Sequence, residues 1–324
     1  MTVTTRLPRL VSWAGLVFVM GCSDAGRDDD PFEGASSPTM TTVPADGVDA
    51  TTDPDVDEDE NEDAEDSGGS VKLDVGPGAT TSVDPDSDGP NVCDQDIDIV
   101  FVMDVSTSME TFLETLANEV LVVDQALAEL ELPSAPQYGL VVFVDDIALL
   151  GAGAPYPDAT ALRADFQEWS EFTSSNAQVS GSGSNTTWPE NSLDALYAAA
   201  TGFQWRPADS TLRIVIHTTD DTFVEGPTTF DGVDIEHGYA DTVQALQDQQ
   251  IRVFSFTADL GGSCSCEDVT PGWSGPYLGQ PSVPDATDGG RFDIDMVLTN
   301  AISLSEAINA SVEGAVCEDY EPVG

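Results

Sequence analysis

The chain reads as an α/β protein built on a doubly wound, mainly parallel sheet, placed after an export signal and an acidic linker. Three observations predict this. Apolar runs at Asp98–Met103, Tyr138–Val144, Leu212–His217 and Arg252–Thr257 have the continuity expected of strands buried on both faces. Segments between them repeat apolar residues every three or four positions, the spacing of one helix face. Between residues 22 and 90 both patterns are absent, and acid, Pro, Thr, Ser and Gly take over.

The first 21 residues have the layout of a secretory signal. Arg6 and Arg9 precede an apolar run, Leu10–Met20, interrupted by Ser12 and Gly15 and too short to span a bilayer stably. The run ends in Val19-Met20-Gly21-Cys22, which resembles the lipobox of bacterial lipoproteins. That resemblance implies cleavage before Cys22 and lipid on its sulfur. With Ser23 next, it also implies sorting to the outer membrane, with the chain facing the periplasm or the cell surface. Residues 22–90 read as a linker. The acidic stretch at 53–66 cannot offset its ordering entropy by burial, and like charges extend it into a stalk. Asp84, Asp86 and Asp88 imitate the opening of a calcium loop, but the twelfth position, where a bidentate glutamate is required, is Gln95.

Residues 91–324 carry the alternating pattern. After the strand at 98–103, Phe112, Leu116, Val120, Val123, Leu127 and Leu130 mark a helix. The strand at 138–144 leads to a helix at 158–171 with Leu162, Phe166 and Trp169 on one side. A small-residue helix follows at 191–202. Beyond the strand at 212–217 come a helix at 237–249, the strand at 252–257, a short edge strand at 291–294 and a closing helix at 298–312. In such sheets ligands bind outside the carboxyl ends of the strands.

Charge excludes whole classes of partner. There are 9 Lys+Arg against 60 Asp+Glu, a formal net charge of −51, and Lys72 is the single lysine. No basic patch exists to displace counterions from nucleic acid or to hold a membrane surface. Membrane contact is therefore expected through the lipid anchor alone. Residues 91–324 hold 39 acids against 5 arginines, net −34.

Asp104-Val-Ser106-Thr-Ser108 leaves the first strand. A carboxylate followed by two hydroxyls on alternate residues can aim three oxygens at one point, a donor set suited to Mg²⁺ or Ca²⁺. The same serines would equally serve as helix N-caps. Asp220 leaves another buried strand at the same sheet edge, and Asn185-Thr-Thr187-Trp-Pro189-Glu190 precedes a helix.

Together these segments resemble a von Willebrand factor A domain with a metal-ion-dependent adhesion site, and among those the I-like domain of integrin β subunits, over residues 97 to about 315. The resemblance implies a cation, Mg²⁺ or else Ca²⁺ or Mn²⁺, held by Asp104, Ser106, Ser108, Glu190 and Asp220. Thr187 is a rival second-loop ligand. Asp145 and Asn185 match a second metal site, although Thr187 replaces that site's own aspartate. Thr111 and Phe112 replace the acids of a third. Asp146 and Asp221 read as solvated loop acids. The implied partner is a protein whose acidic side chain completes the coordination shell.

Binding is favoured over catalysis, since no lysine-containing phosphate loop and no nucleophile elbow occur. A cation-dependent hydrolase would need Glu190 or Asp220 as its base, and a scaffold that merely uses the metal for stability is the other alternative. His217 reads as a hydrogen-bonded core residue and His237 as the start of a helix. Apart from Cys22, four cysteines allow three pairings. Cys93 with Cys317, which bracket the domain, and Cys264 with Cys266 are the expected pairs.

Overall fold

The computed structural model describes residues 94–130, 132–186, 188–258 and 268–323, all within the second of two units of the chain, Thr81–Gly324. The signal segment, the linker, Cys22, Cys93, Thr187, Cys264 and Cys266 lie outside the described residues.

Six strands form the central sheet in the order β3-β2-β1-β4-β7-β8. They are β1 (Asp96–Asp104), β2 (Gln137–Phe143), β3 (Ile147–Leu149), β4 (Thr211–Thr219), β7 (Ile251–Thr257) and β8 (Gly290–Asp293). All pairings are parallel except that of β3 with β2. Helices α1 (Glu110–Ala128), α2 (Ala159–Thr173) and α7 (Leu304–Ala315) share one core with the odd-numbered side chains of β1: Ile97, Ile99, Phe101 and Met103. Helices α3 (Ser192–Gly202) and α4 (Tyr239–Asp248) share the other with Val100 and Val102. Alternation along a strand buried on both faces thus separates two apolar layers. Ala195, Ala199 and Ala200 let α3 lie close to the sheet. At Gly139 of β2 an added Cβ would stand 2.6 Å from the Phe203 ring.

The expected strands and most of the expected helices are present. The expected helix at 298–312 is two helices, α6 (Ile294–Leu298) and α7. Asn300 takes a left-handed φ of 56°, and Ser303 restarts the helix by accepting the Glu306 amide on its side chain. That Ser-x-x-Glu pattern is a legible N-terminus. The short strand β3, the helix α5 (Val283–Ala286) and the hairpin β5 (Thr228–Phe230) with β6 (Val233–Ile235) lie outside the expected set. Three or four residues are too few to declare a period. The hairpin turn does carry a signal, Asp231-Gly232, with φ of 46° and 84°.

Charges are buried within the sheet, that of Asp98 among them. Asp98 on β1 is fully buried, and Arg206 meets it through Nε at 2.7 Å and through its own backbone amide at 2.8 Å. The same guanidinium donates to the Ile97 carbonyl at 2.5 Å. Burial still leaves the Asp98 carboxyl above its ordinary range despite this pairing. Removing the arginine therefore strands a buried charge. Arg206→Ala is expected to destabilise the fold by about 3–5 kcal/mol in urea titration, and a loss below about 1 kcal/mol would place the pair among surface ion pairs instead.

Cys317 is disulfide-bonded, and its backbone amide donates to the Gln95 side chain at 3.1 Å. That contact places it beside the residue two positions after Cys93. Non-reducing peptide mapping is expected to recover Cys317 joined to Cys93, and a link to Cys264 or Cys266 would overturn the pairing.

Candidate metal centre

The strand order reverses direction across β1 and β4. From β1 the chain moves by way of α1 to β2 on one side, while β4, β7 and β8 extend on the other. The crevice at such a point, at the carboxyl ends of the strands, is where open α/β sheets bind ligands. Asp104 ends β1 and Thr219 ends β4, and the Thr219 hydroxyl donates to Asp104 Oδ2 at 2.7 Å across the crevice.

The two serines do not cap a helix. Neither Ser106 nor Met109, the residues at the two N-cap positions, makes a side-chain capping bond. Asp104 Oδ1 instead accepts the Ser106 amide at 2.8 Å and so folds the loop back on the strand end. The Ser106 and Ser108 hydroxyls lie 3.1 Å apart, and Ser108 Oγ donates to Asp220 Oδ1 at 2.9 Å. Between the two readings of the motif, the hydroxyls join an oxygen cluster. Asp104 is fully buried and forms its floor; Ser108 is exposed and Asp220 half-buried, so the cluster opens to solvent.

The second loop reaches the third through backbone bonds. Glu190 N donates to Thr222 O at 3.0 Å, and Val224 N donates to Glu190 O at 3.1 Å. The Glu190 side chain is 1 % exposed; Asn185 Nδ2 donates to its Oε1 at 3.2 Å. Glu190 Oε2 and Asn185 Oδ1 have no hydrogen-bond partner among the described residues. Asp145 accepts the Thr186 amide at 3.3 Å.

Asp221 belongs to the cluster. Oxygens of Asp104, Asp220 and Asp221 lie within 4.8 Å of one another, the one group of that kind among the described residues. The expectation of a solvated loop acid is corrected at this position. Thr219 Oγ1 accepts the Asp221 amide at 3.0 Å, which tightens the turn that follows β4. The adjacent acids in Asp220-Asp221 were the available signal. Asp146 also departs from expectation: its carboxylate accepts the amides of Val179, Ser180 and Gly181 at 2.7–2.8 Å and clamps that loop.

Such a gathering of carboxylates is electrostatically costly. Burial, and then the charge of Asp220, push the Asp104 carboxyl up to about 7, against bonds from Thr219 and Ser106 that lower it. Burial pushes Glu190 up to about 10, with the charges of Asp104, Asp221 and Asp145 adding to the rise. Burial raises Asp220 as well. Acidic and hydroxyl oxygens with an unpartnered buried carboxylate oxygen fit a hard divalent cation, whose charge inverts this balance.

The described histidines lie elsewhere. His217 is fully buried in β4 between the Phe143 and Trp273 rings, 3.3 Å from Ser255 Oγ, and burial lowers it to about 3. His237 lies between β6 and α4, paired with Asp194.

No protein-family model and no curated protein matches this chain. Among solved structures, it is similar to proximal thread matrix protein 1 from the mussel byssus in two crystal forms, at 13 % and 15 % identity and TM-scores of 0.36 and 0.40. Those matches cover 67 % and 71 % of this chain, and 46 % and 48 %, about half, of the mussel chains. It is also similar to an aerotolerance-related membrane protein from Bacteroides fragilis NCTC 9343 bearing multiple mutations to serine, at 14 % identity and a TM-score of 0.39, over 67 % of this chain and 99 % of that one. Among the described residues no helix is long and apolar enough to cross a membrane.

The raised carboxyls set a pH dependence. A folded-state value above the unfolded one contributes stability at low pH that is lost as pH rises through the folded value. Without cation, thermal stability should therefore fall between pH 5 and pH 8 as Asp104 ionises, Glu190 following at higher pH. Mg²⁺ should raise the midpoint more at pH 8 than at pH 5, relative to Na⁺ at equal ionic strength. Asp104→Asn should weaken Mg²⁺ binding more than tenfold by calorimetry, and an unchanged affinity would refute the site.

Proposed function

We propose that residues 91–324 form a von Willebrand factor A-type domain that binds a protein ligand through a divalent cation. Asp104, Ser106, Ser108, Glu190 and Asp220 would hold the ion, which supplies an electrophilic position for an acidic side chain of the partner. Asp221 joins this set by proximity, whereas Thr187 lies outside the described residues. The observation that carries the reading is the run of oxygens from Asp104 through Ser106 and Ser108 to Asp220, formed by hydroxyls that cap no helix. Mg²⁺, Ca²⁺ and Mn²⁺ all suit these donors.

A binding role is supported over histidine-based catalysis by where the two histidines lie. His217 is sealed in the core, and His237 is engaged by Asp194. Export and lipidation at Cys22 would display the domain from the outer membrane on its acidic stalk, a reading that rests on the sequence of the first 90 residues.

The test is capture from cell-surface extracts by the immobilised full chain, in Mg²⁺ and in EDTA. Proteins retained in Mg²⁺ and released both by EDTA and by Asp104→Asn are the expected result. Capture indifferent to both would leave the ion a purely structural role.

A further inference from the structure

Beside the cluster, consecutive residues divide between two places. Glu190 belongs to the candidate metal centre, while its neighbour Asn191, together with Asp146, lines a separate cleft of about 460 Å³ between β3, α3 and the β5–β6 hairpin. Its aliphatic lining comes from Ile147, Leu149, Ala198 and Val233. Its charges are all of one sign: Asp146, Asp194, Asp234 and Glu236 contribute carboxylates, and no lysine or arginine lines it. Asp234 and Glu236, at alternate positions of one strand and its extension, are exposed.

One wall is flat and aromatic. His237 stacks on Tyr197 with ring centroids 3.5 Å apart and planes 15° from parallel. Asp194 fixes this imidazole through Nδ1 at 2.8 Å, and it accepts the backbone amides of His237 at 2.8 Å and Glu236 at 3.0 Å. Asn191, 2 % exposed, adds an Oδ1 with no hydrogen-bond partner among the described residues.

We propose that this cleft is a second binding site, which takes an arginine side chain of a polypeptide partner. The apolar lining suits an aliphatic stem, and the exposed carboxylates of Asp234 and Glu236, with Asn191 Oδ1, suit the donors of its head. A planar guanidinium also stacks on an aromatic face, which a compact, strongly hydrated ammonium does less well. The site does not depend on the cation, so the two assignments stand or fall separately.

The chain's two histidines make the test internal. The full chain in EDTA is titrated with N-acetyl-arginine amide while the ring proton resonances of His217 and His237 are followed. His237 should shift saturably and the core residue His217 should not move. Glu236→Gln and the Asp234→Asn/Glu236→Gln pair should weaken binding progressively, by about fivefold for the pair, the sum of two exposed ion pairs. N-acetyl-citrulline amide, of similar shape without the charge, should leave His237 unmoved. A static His237 resonance, an unsaturating drift, or shifts unaltered in the double variant would overturn the site. Equal affinity for N-acetyl-lysine amide would overturn its assignment to guanidinium.

Discussion

Burying the Asp104 carboxylate at the end of the central strand is the constraint on which the rest of the site depends. A charge removed from water has to find hydrogen-bond donors or lose its proton. Thr219 and the Ser106 amide supply two donors, and each does structural work as well: one joins β1 to β4 across the reversal of strand order, the other curls the loop that aligns the two serines. Those bonds do not offset the charge of Asp220, nor the presence of Glu190 close by. Positive charge is what the arrangement lacks.

The chain has little positive charge to lend. All five arginines of residues 94–323 donate to backbone carbonyls: Arg163 to Ala117, Arg206 to Ile97, Arg213 to Gln249, Arg252 to Glu318 and Arg291 to Ser274. Arg206 and Arg252 also pair with carboxylates within the fold. The cations thus serve as fasteners among chain segments. With 39 acids in this part of the chain, the exterior is left anionic. A carboxylate cluster in such a field can take its compensation only from solution, as protons at low pH or as a cation that its oxygens could hold at neutral pH. Like logic applies to the neighbouring cleft, whose carboxylates face no guanidinium of their own.

Long elements were legible because burial imposes a period. Nine residues of β1 and nineteen of α1 each repeat their pattern often enough to declare it. The three-residue strands β3, β5 and β6 complete no such repeat, and the break between α6 and α7 turns on a cap rather than on hydrophobicity. Asp104, Ser106, Ser108 and Asp220 were legible as candidates because they follow strands buried on both faces. The role of the serines was not, because an N-cap and an oxygen cluster call for the same residues in the same places.

What this sequence determined by itself is the alternation of buried strands and one-faced helices, and with it the sheet edge where polar residues must emerge. That information is local, carried by neighbours along the chain. Only the tertiary structure decided that Ser108 turns to Asp220, 112 residues away, that Asp221 stands with the cluster, and that Asp146 clamps a loop. A carboxylate reads alike in solvent, in a cluster or across a loop; which of these it occupies depends on what the fold brings opposite to it.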